Sequence, residues 1–359
     1  MKIGIIGCGN IVGQYIKHSV QFKHVLEIAA VADLEPEKAQ KAAEELGNPS
    51  LAVTPDELLN DPEIQLVINL TPPKAHCTVA KSVLEAGKHV YNEKPLCIDR
   101  EDARKLLELA EKKNVRVGCA PDTFLGKGLQ TAIKALDDGI IGKPVAAFAQ
   151  MAGHGMESWH PNPEFFYQYG GGPMFDVGPY ILTALIAMIG PVKRVTGSTM
   201  ISFPVRYATA EGRNGEAFNV EVPTHITGTL DFQQGTIATI ITSFDMWRHN
   251  LPKIEIFGSD GTLSVPDPNQ FGGEVKVWKP GMNEWEVLPT LESRKDTGRI
   301  IGVAEMAKAI QEERPHRASG IQAYHVLDIM HAIHEASDFG KHIDIKSTCN
   351  RPAALVEEL

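Results

Sequence analysis

No stretch of this 359-residue sequence is apolar for long enough to cross a bilayer. The nearest candidate, residues 181–189, falls well short of the roughly 20 residues a spanning helix requires and reads as a buried helix. Basic residues are not in excess: 35 Lys and Arg stand against 45 Asp and Glu, a formal charge of −10. The chain therefore has no clustered cations to offer a phosphate backbone or an anionic lipid surface, and neither nucleic acid nor membrane is expected as a partner. The 5 cysteines, Cys8, Cys77, Cys97, Cys119 and Cys349, are scattered and include no C-x-x-C pair. That usage fits reduced thiols and a cytoplasmic location. No basic segment precedes the apolar Ile3-Gly4-Ile5-Ile6, so a cleavable leader is not indicated. Internal repeats and low-complexity tracts are also lacking.

What is present is ordinary globular composition, 43% hydrophobic and 22% charged, over a length that predicts two domains rather than one core. The first third alternates strand-like runs (3–6, 28–32, 66–70, 89–91, 115–118) with helix-like runs, the pattern of a parallel sheet with crossover helices. Residues 36–46 read as a helix stopped by Gly47. Thr54-Pro55-Asp56-Glu57 is a capping box with proline at the first helical position, and Asp99 caps a charged helix ending near Lys113. Beyond Pro121 the pattern changes. A helix over 129–136 ends at Gly139 and a strand begins near Pro144. Residues 224–232 and 236–244 form a hairpin around Gln233-Gln234-Gly235, and short strands follow at 254–257, 262–265 and 275–278. Helices near 300–312 and 320–340 close this second part. The expected architecture is α/β, with an N-terminal doubly wound Rossmann domain over residues 1–121. An α+β domain over 122–359 carries a large, mostly antiparallel open sheet.

Gly7-Cys8-Gly9-Asn10-Ile11-Val12-Gly13 follows the first strand and opens a helix, where a chain cradling a pyrophosphate must turn tightly and present free N–H groups. The third glycine of the usual pattern is Val12, with Gly13 one place later. Asp33, at the end of the second strand, is placed to accept hydrogen bonds from ribose hydroxyls and to repel a 2′-phosphate, and Leu34 follows where an arginine would serve NADP. NAD is therefore favoured over NADP. Leu70-Thr71-Pro72-Pro73 and Glu93-Lys94-Pro95 end later strands on the same carboxyl edge, where the nicotinamide should lie. Lys94 there can hold a hydroxyl oxygen and stabilise charge developing on it.

In Gly170-Gly171-Gly172-Pro173-Met174-Phe175-Asp176-Val177-Gly178-Pro179-Tyr180, a helix starting at Asp176 would put Asp176 and Tyr180 one turn apart, although Pro179 would start it late or kink it. A tyrosine beside an ammonium is a competent proton acceptor, so Lys94 and Tyr180 make chemical sense as a pair. The loop from His154 to Tyr167 mixes aromatics with polar groups, as a sugar pocket does. Trp159, His160 and Glu164 are its contact candidates, and Asp122 is expected to point toward the same cleft. His154, Glu157 and His160 do not have the spacing of a usual zinc site, and no metal is expected. His249 and Asn250 read as a hairpin end.

Taken together, Gly7-Cys8-Gly9-Asn10-Ile11, Thr71-Pro72-Pro73 with His76, Ala86-Gly87-Lys88-His89-Val90, Glu93-Lys94-Pro95 and Gly171-Gly172 through Asp176-Val177-Gly178 resemble the glucose-fructose oxidoreductase and inositol dehydrogenase (Gfo/Idh/MocA) family over nearly the whole chain. The resemblance implies an NAD-dependent dehydrogenase of a sugar, polyol or inositol, with Lys94 catalytic and Asp176 touching substrate. It also implies dimers or tetramers built on the open sheet face. The inositol dehydrogenase branch carries histidine where Tyr180 stands; here the chain looks like the glucose-fructose oxidoreductase branch, whose tyrosine is the proposed acid/base. Gly7, Gly9, Asn10, Ile11, Asp33, Thr71, Pro72, Pro73, His76, Glu93 and Lys94 are then expected to line the dinucleotide. A nucleotide-sugar 3-dehydrogenase would need a basic groove that is not evident in the sequence. A non-catalytic NAD-binding sensor or co-regulator would be expected to lack a Lys94 or an Asp176.

Overall fold

The computed structural model describes residues 1–291, 298–355 and 359. The chain forms two compact units, one of Met1–Gly126 with Glu292–Tyr324 and Leu355–Leu359, the other of Lys127–Leu291 with His325–Ala354.

In the first unit, strands β1 (Lys2–Ile6), β2 (Glu27–Ala32), β3 (Ala52–Val53), β4 (Leu66–Asn69), β5 (His89–Asn92) and β6 (Val117–Cys119) alternate with helices α1 (Val12–Ser19), α2 (Pro36–Glu45), α3 (Pro55–Asn60), α4 (Pro73–Glu85) and α5 (Arg100–Lys113). The sheet is parallel throughout, in the order β3-β2-β1-β4-β5-β6. That is the doubly wound order, whose switch point for ligands lies between β1 and β4. All four residues of β4 are buried, as expected of a strand covered by helices on both faces. The local signals hold. Thr54 caps α3 in a full capping box with Glu57, and the φ of +78° at Gly47 lets the chain leave α2. The register places Ala32, Ile6, Asn69, Asn92 and Cys119 side by side, so the residues after them share one edge.

The second unit opens with α6 (Lys127–Asp137), β7 (Pro144–Ala152), α7 (Gly172–Asp176), α8 (Gly178–Ile189), β8 (Val192–Met200), β9 (Val205–Tyr207) and β10 (Ala217–Asn219). It continues with β11 (His225–Phe232), β12 (Ile237–Ser243), β13 (Ile254–Gly258), β14 (Thr262–Val265), β15 (Lys276–Trp278) and β16 (Glu286–Val287). After α9 (Ile301–Gln311) and α10 (Gly320–Phe339), the short β17 (Ile343–Asp344) completes a nine-stranded sheet ordered β16-β15-β14-β13-β7-β12-β11-β8-β17. Every pair in it is antiparallel except β7 with β12. Strict alternation of burial along β11 marks one face packed and one face open. All twelve residues of α8 are buried, in agreement with the apolar run in the sequence. At Gly197 in β8 a Cβ would come within 2.7 Å of Ile333 on α10, so the glycine lets helix and sheet approach.

Two features differ from the sequence reading. Strand β8, nine residues long, was not anticipated, because Lys193, Arg194, Thr196, Gly197 and Ser198 hide its buried Val192 and Val195. The helix after residue 300 belongs to the first unit, not the second. Cys119 N–H donates to the Ala318 carbonyl at 3.0 Å and Gly118 bridges Ser319, so the returning chain covers the otherwise open edge of β6. Residue 305 anchors that return. Glu305 is fully buried, with Oε1 accepting from Arg314 and Arg317 at 2.6 Å each and Oε2 from the Arg317 backbone at 2.8 Å. Where the sequence drew a single boundary, the chain crosses between units more than once.

Candidate functional site

The carboxyl edge of the parallel sheet gathers most of the expected cofactor residues. Gly7 has φ +98°, and a Cβ on it would meet the Thr71 amide nitrogen at 2.6 Å, so the loops after β1 and β4 pass as closely as only glycine allows. Gly9 and Asn10 are exposed, and nothing lies within 4 Å of a Cβ built on Gly9. A dinucleotide pyrophosphate fits such an open cradle at the start of α1. Asp33 braces the loop, with Oδ2 accepting from Cys8 N–H at 2.7 Å and Oδ1 from Glu35 N–H at 2.9 Å. Leu34 beside it is 92% exposed.

Behind the edge lies a buried polar network that the sequence did not reveal. Asn69 and Asn92, neighbours in register, are both fully buried. Asn69 Nδ2 donates to Asn92 Oδ1 (3.0 Å) and the His76 carbonyl (2.9 Å), while Asn69 Oδ1 accepts from the Thr71 hydroxyl at 2.6 Å. Asn92 Nδ2 reaches the Leu96 carbonyl at 3.1 Å. His76, counted among the residues lining the cofactor, is 1% exposed, with Nδ1 2.6 Å from the Pro95 carbonyl and Nε2 2.7 Å from the Thr71 carbonyl. Its ring therefore ties the turn before α4 to the Glu93–Pro95 loop. Glu93 is likewise inward: Oε1 accepts from the Tyr15 hydroxyl at 2.8 Å and lies 3.5 Å from Arg299, while Oε2 accepts the Lys94 N–H at 2.9 Å. Lys94 itself is half-buried. The backbone of the expected catalytic lysine is thus fixed from α1, through Tyr15 and Glu93.

Asp122 does not line a cleft. It is 0% exposed, and its Oδ2 accepts the Gly302 N–H at 3.0 Å in the first turn of α9, so the carboxylate docks the returning segment. Oδ1 and the nearby Tyr91 hydroxyl are buried with no hydrogen-bond partner, and burial pushes the Asp122 carboxyl up to about 6. The preceding Ile300 is held at φ +92°, a strained conformation for a β-branched residue.

In the second unit, the sequence between Gly172 and Ile189 makes two helices. Asp176 ends α7, Val177 breaks the run, and Pro179 and Tyr180 fall in the first turn of α8, where proline is tolerated. Tyr180 is 4% exposed and Asp176 half-buried. Trp159 stays 62% exposed, and the half-buried His160 ring sits among Trp159, Phe165 and Phe166 at 5.0–5.4 Å. Glu164 faces Arg213, which bonds both of its oxygens and holds the carboxyl below its usual range, so this residue anchors the loop rather than awaiting a ligand.

Arg206, at 5% exposure, organises the loop from within. Its guanidinium pairs with Glu157 and Asp245 and donates to the Phe244 carbonyl at 2.9 Å. Tyr167 donates to Glu157 Oε2 at 2.9 Å, and Asp245 Oδ2 accepts from Ser202 and Thr224. Tyr167, Phe218, Val220 and Phe244 form the small apolar core around it. His154, Glu157 and His160 thus serve different partners: His154 stacks on Trp247. Among the described residues no group of three or more His, Cys, Asp or Glu is placed to hold a metal. No helix among them is long and apolar enough to cross a membrane.

Residues 1–120 match the model of an oxidoreductase family with an NAD-binding Rossmann fold, and residues 129–264 match the C-terminal domain model of the same GFO/IDH/MocA group. D-glucoside 3-dehydrogenase of Escherichia coli is 22% identical over 353 residues, 96% of this chain and 97% of that protein. Inositol 2-dehydrogenase/D-chiro-inositol 3-dehydrogenase of Lactiplantibacillus plantarum is 32% identical over 155 residues, 40% of this chain and 42% of that protein. A solved structure of levoglucosan dehydrogenase in complex with NADH and levoglucosan shares the fold, with a TM-score of 0.82 at 19% identity over 97% of this chain and 99% of that one.

Proposed function

The chain belongs to the GFO/IDH/MocA oxidoreductase family, and from that premise we propose that it transfers a hydride between NAD and a CH–OH group of a sugar, polyol or inositol. The observation that carries this reading is the carboxyl edge of the parallel sheet, where the open Gly7–Asn10 cradle, Asp33 and Lys94 follow strand ends that lie in register. When bound there, nicotinamide supplies the hydride chemistry. The protein's part is to place and to move protons. Asp33 receives the adenosine ribose; Lys94, its backbone clamped by Glu93, holds the reacting oxygen and stabilises negative charge on it. Tyr180 takes or returns the hydroxyl proton, and Asp176 orients the substrate hydroxyl. Trp159 and His160 offer an aromatic surface for the C–H face of a sugar.

A glycoside oxidised at its third carbon is a second reading, favoured by the D-glucoside 3-dehydrogenase that matches along nearly the whole chain. Reduction of NAD, followed by absorbance against a panel of aldoses, polyols, inositols and glucosides, tests both. Turnover of at least one compound is expected. If NADH binds, by quenching of tryptophan emission, while no member of the panel is oxidised, the dehydrogenase reading gives way to a dinucleotide sensor.

A further inference from the structure

We propose that Tyr15 is a positioning residue for Lys94: acting through Glu93, it sets the lysine from the helix that opens at the cofactor cradle, with Arg299 of the returning segment as its counterpart. Glu93 is the meeting point. Its N–H donates to the Asn69 carbonyl at 2.9 Å, so its backbone is tied to the end of β4. Its side chain turns inward, and the residue is 8% exposed. There the Tyr15 hydroxyl donates to Oε1 at 2.8 Å, the Arg299 guanidinium lies 3.5 Å from the same oxygen, and the Lys94 N–H donates to Oε2 at 2.9 Å. A buried carboxylate is costly unless its oxygens are paired, so the groups around it also decide which way it faces. With Oε1 held by Tyr15 and Arg299, Oε2 is left aimed at the lysine's amide. Without that hold the carboxylate can rotate, and the peptide joining residues 93 and 94 loses its anchor.

Both holders are themselves fixed. Tyr15 is 0% exposed and stands about one turn into α1, which follows the open Gly7–Asn10 loop. Its hydroxyl therefore places the lysine relative to the site expected to receive the pyrophosphate, and lysine and cofactor share one frame. Arg299 comes from the far end of the chain. Its neighbour Gly298 packs on α1, where a Cβ would come within 2.3 Å of the His18 ring, and Gly302 N–H donates to Asp122 at 3.0 Å. The segment is thus docked on either side of Arg299. The catalytic consequence rests on the function proposed above; the effect on the Lys94 backbone does not.

Tyr15→Phe deletes the donor and keeps the ring. Amide exchange at Lys94 in the full chain, read by NMR, is compared in the unaltered protein, Tyr15→Phe, Glu93→Gln and the double variant, together with NADH affinity, kcat and KM. In Tyr15→Phe the Lys94 amide should exchange about tenfold faster or more, as loss of a hydrogen bond to a charged group allows. With NADH affinity unchanged, kcat should fall about 10–100-fold, as misplacing a reacting group by about 1 Å does. Glu93→Gln has one accepting oxygen and cannot serve both Tyr15 and Lys94, so it should reproduce these changes, and adding Tyr15→Phe to it should cost little more. Arg299→Met should quicken the same amide, a check that stands even if Tyr15→Phe fails to fold. An unchanged Lys94 amide, a quickened amide with unaltered kcat, or losses that multiply in the double variant, as for a tyrosine that only fills space, would each overturn the proposal. Exchange is read without any substrate, so failure of this linkage is separable from failure of the dehydrogenase reading.

Discussion

Asp122 Oδ2 accepts the backbone N–H of Gly302 at 3.0 Å, joining the residue just past β6 to the first turn of a helix 180 positions away in sequence. Burial dominates its environment; Arg299 opposes the upward shift and Glu93 adds to it, leaving the carboxyl near 6 against an ordinary 3.8. Below about 3.8 it is protonated whether the chain is folded or not. Between 3.8 and 6 only the folded chain keeps the proton, so this group's contribution favours the fold on the acid side and is lost as pH rises through 6. Asp122→Asn removes that slope. Variant minus wild-type unfolding free energy should rise by on the order of 3 kcal/mol between pH 4 and pH 8, read by urea denaturation at each pH. A flat or falling difference would show that the carboxylate is not the strained form.

Asp33 and Leu34 should set a preference for NAD over NADP, measured as kcat/KM with each cofactor. Because Asp33 Oδ2 also holds the Cys8 N–H of the glycine loop, Asp33→Ser with Leu34→Arg should relax or reverse the preference while weakening binding of either dinucleotide. Equal use of the two cofactors by the unaltered protein would contradict the expectation.

Lys94→Met and Tyr180→Phe are each expected to lower kcat by about 10²–10⁴ with NAD affinity nearly unchanged. The double variant should lose less than the product of the two, as groups acting as a unit do. Strictly multiplicative losses would separate their roles, and near-normal activity of Tyr180→Phe beside an inactive His160→Ala would move the acid/base role to the loop histidine.

Arg206→Met leaves Glu157 and Asp245 buried without their cation. The expected cost is about 3–5 kcal/mol, or roughly 6–20 °C in Tm, and calorimetry would read it. A change under about 1 kcal/mol would mean that water reaches the two carboxylates.

The open face of the nine-stranded sheet should bring copies of the chain together as dimers or tetramers. Light scattering at micromolar concentration decides this, and a monomer would remove the claim without touching the catalytic one.

The parts of this molecule that local rules govern were legible in its sequence. Thr54 and Glu57 cap a helix, Gly47 and Gly139 stop two more, and the spacing from Gly7 to Asp33 reads as a nucleotide edge, because each signal is satisfied within one turn or one crossover. The pairings of charged and polar groups were not. Glu164 looks free in sequence, and its partner Arg213 is 49 residues on. Asp122 looks like a cleft residue until Gly302 arrives, and Arg206 finds Glu157 and Asp245 at separations of 49 and 39. His76 and Glu93 are expected from the sequence to line the dinucleotide, but residue type alone does not say that their side chains face inward. Strand β8 escaped notice because its solvent face carries the charges and its core face only two valines.

The segment that seals the β6 edge also imposes an order on synthesis. Emerging after nearly all of the second unit, it trails residue 126 by roughly 10–40 s at ordinary elongation rates of about 5–20 residues per second. Throughout that interval the nascent nucleotide-binding half carries an uncovered strand edge at Cys119 and an Asp122 with no amide to receive, the kind of surface that invites pairing with other chains or a holding chaperone. Premature termination near residue 290 would accordingly damage the half of the protein made first.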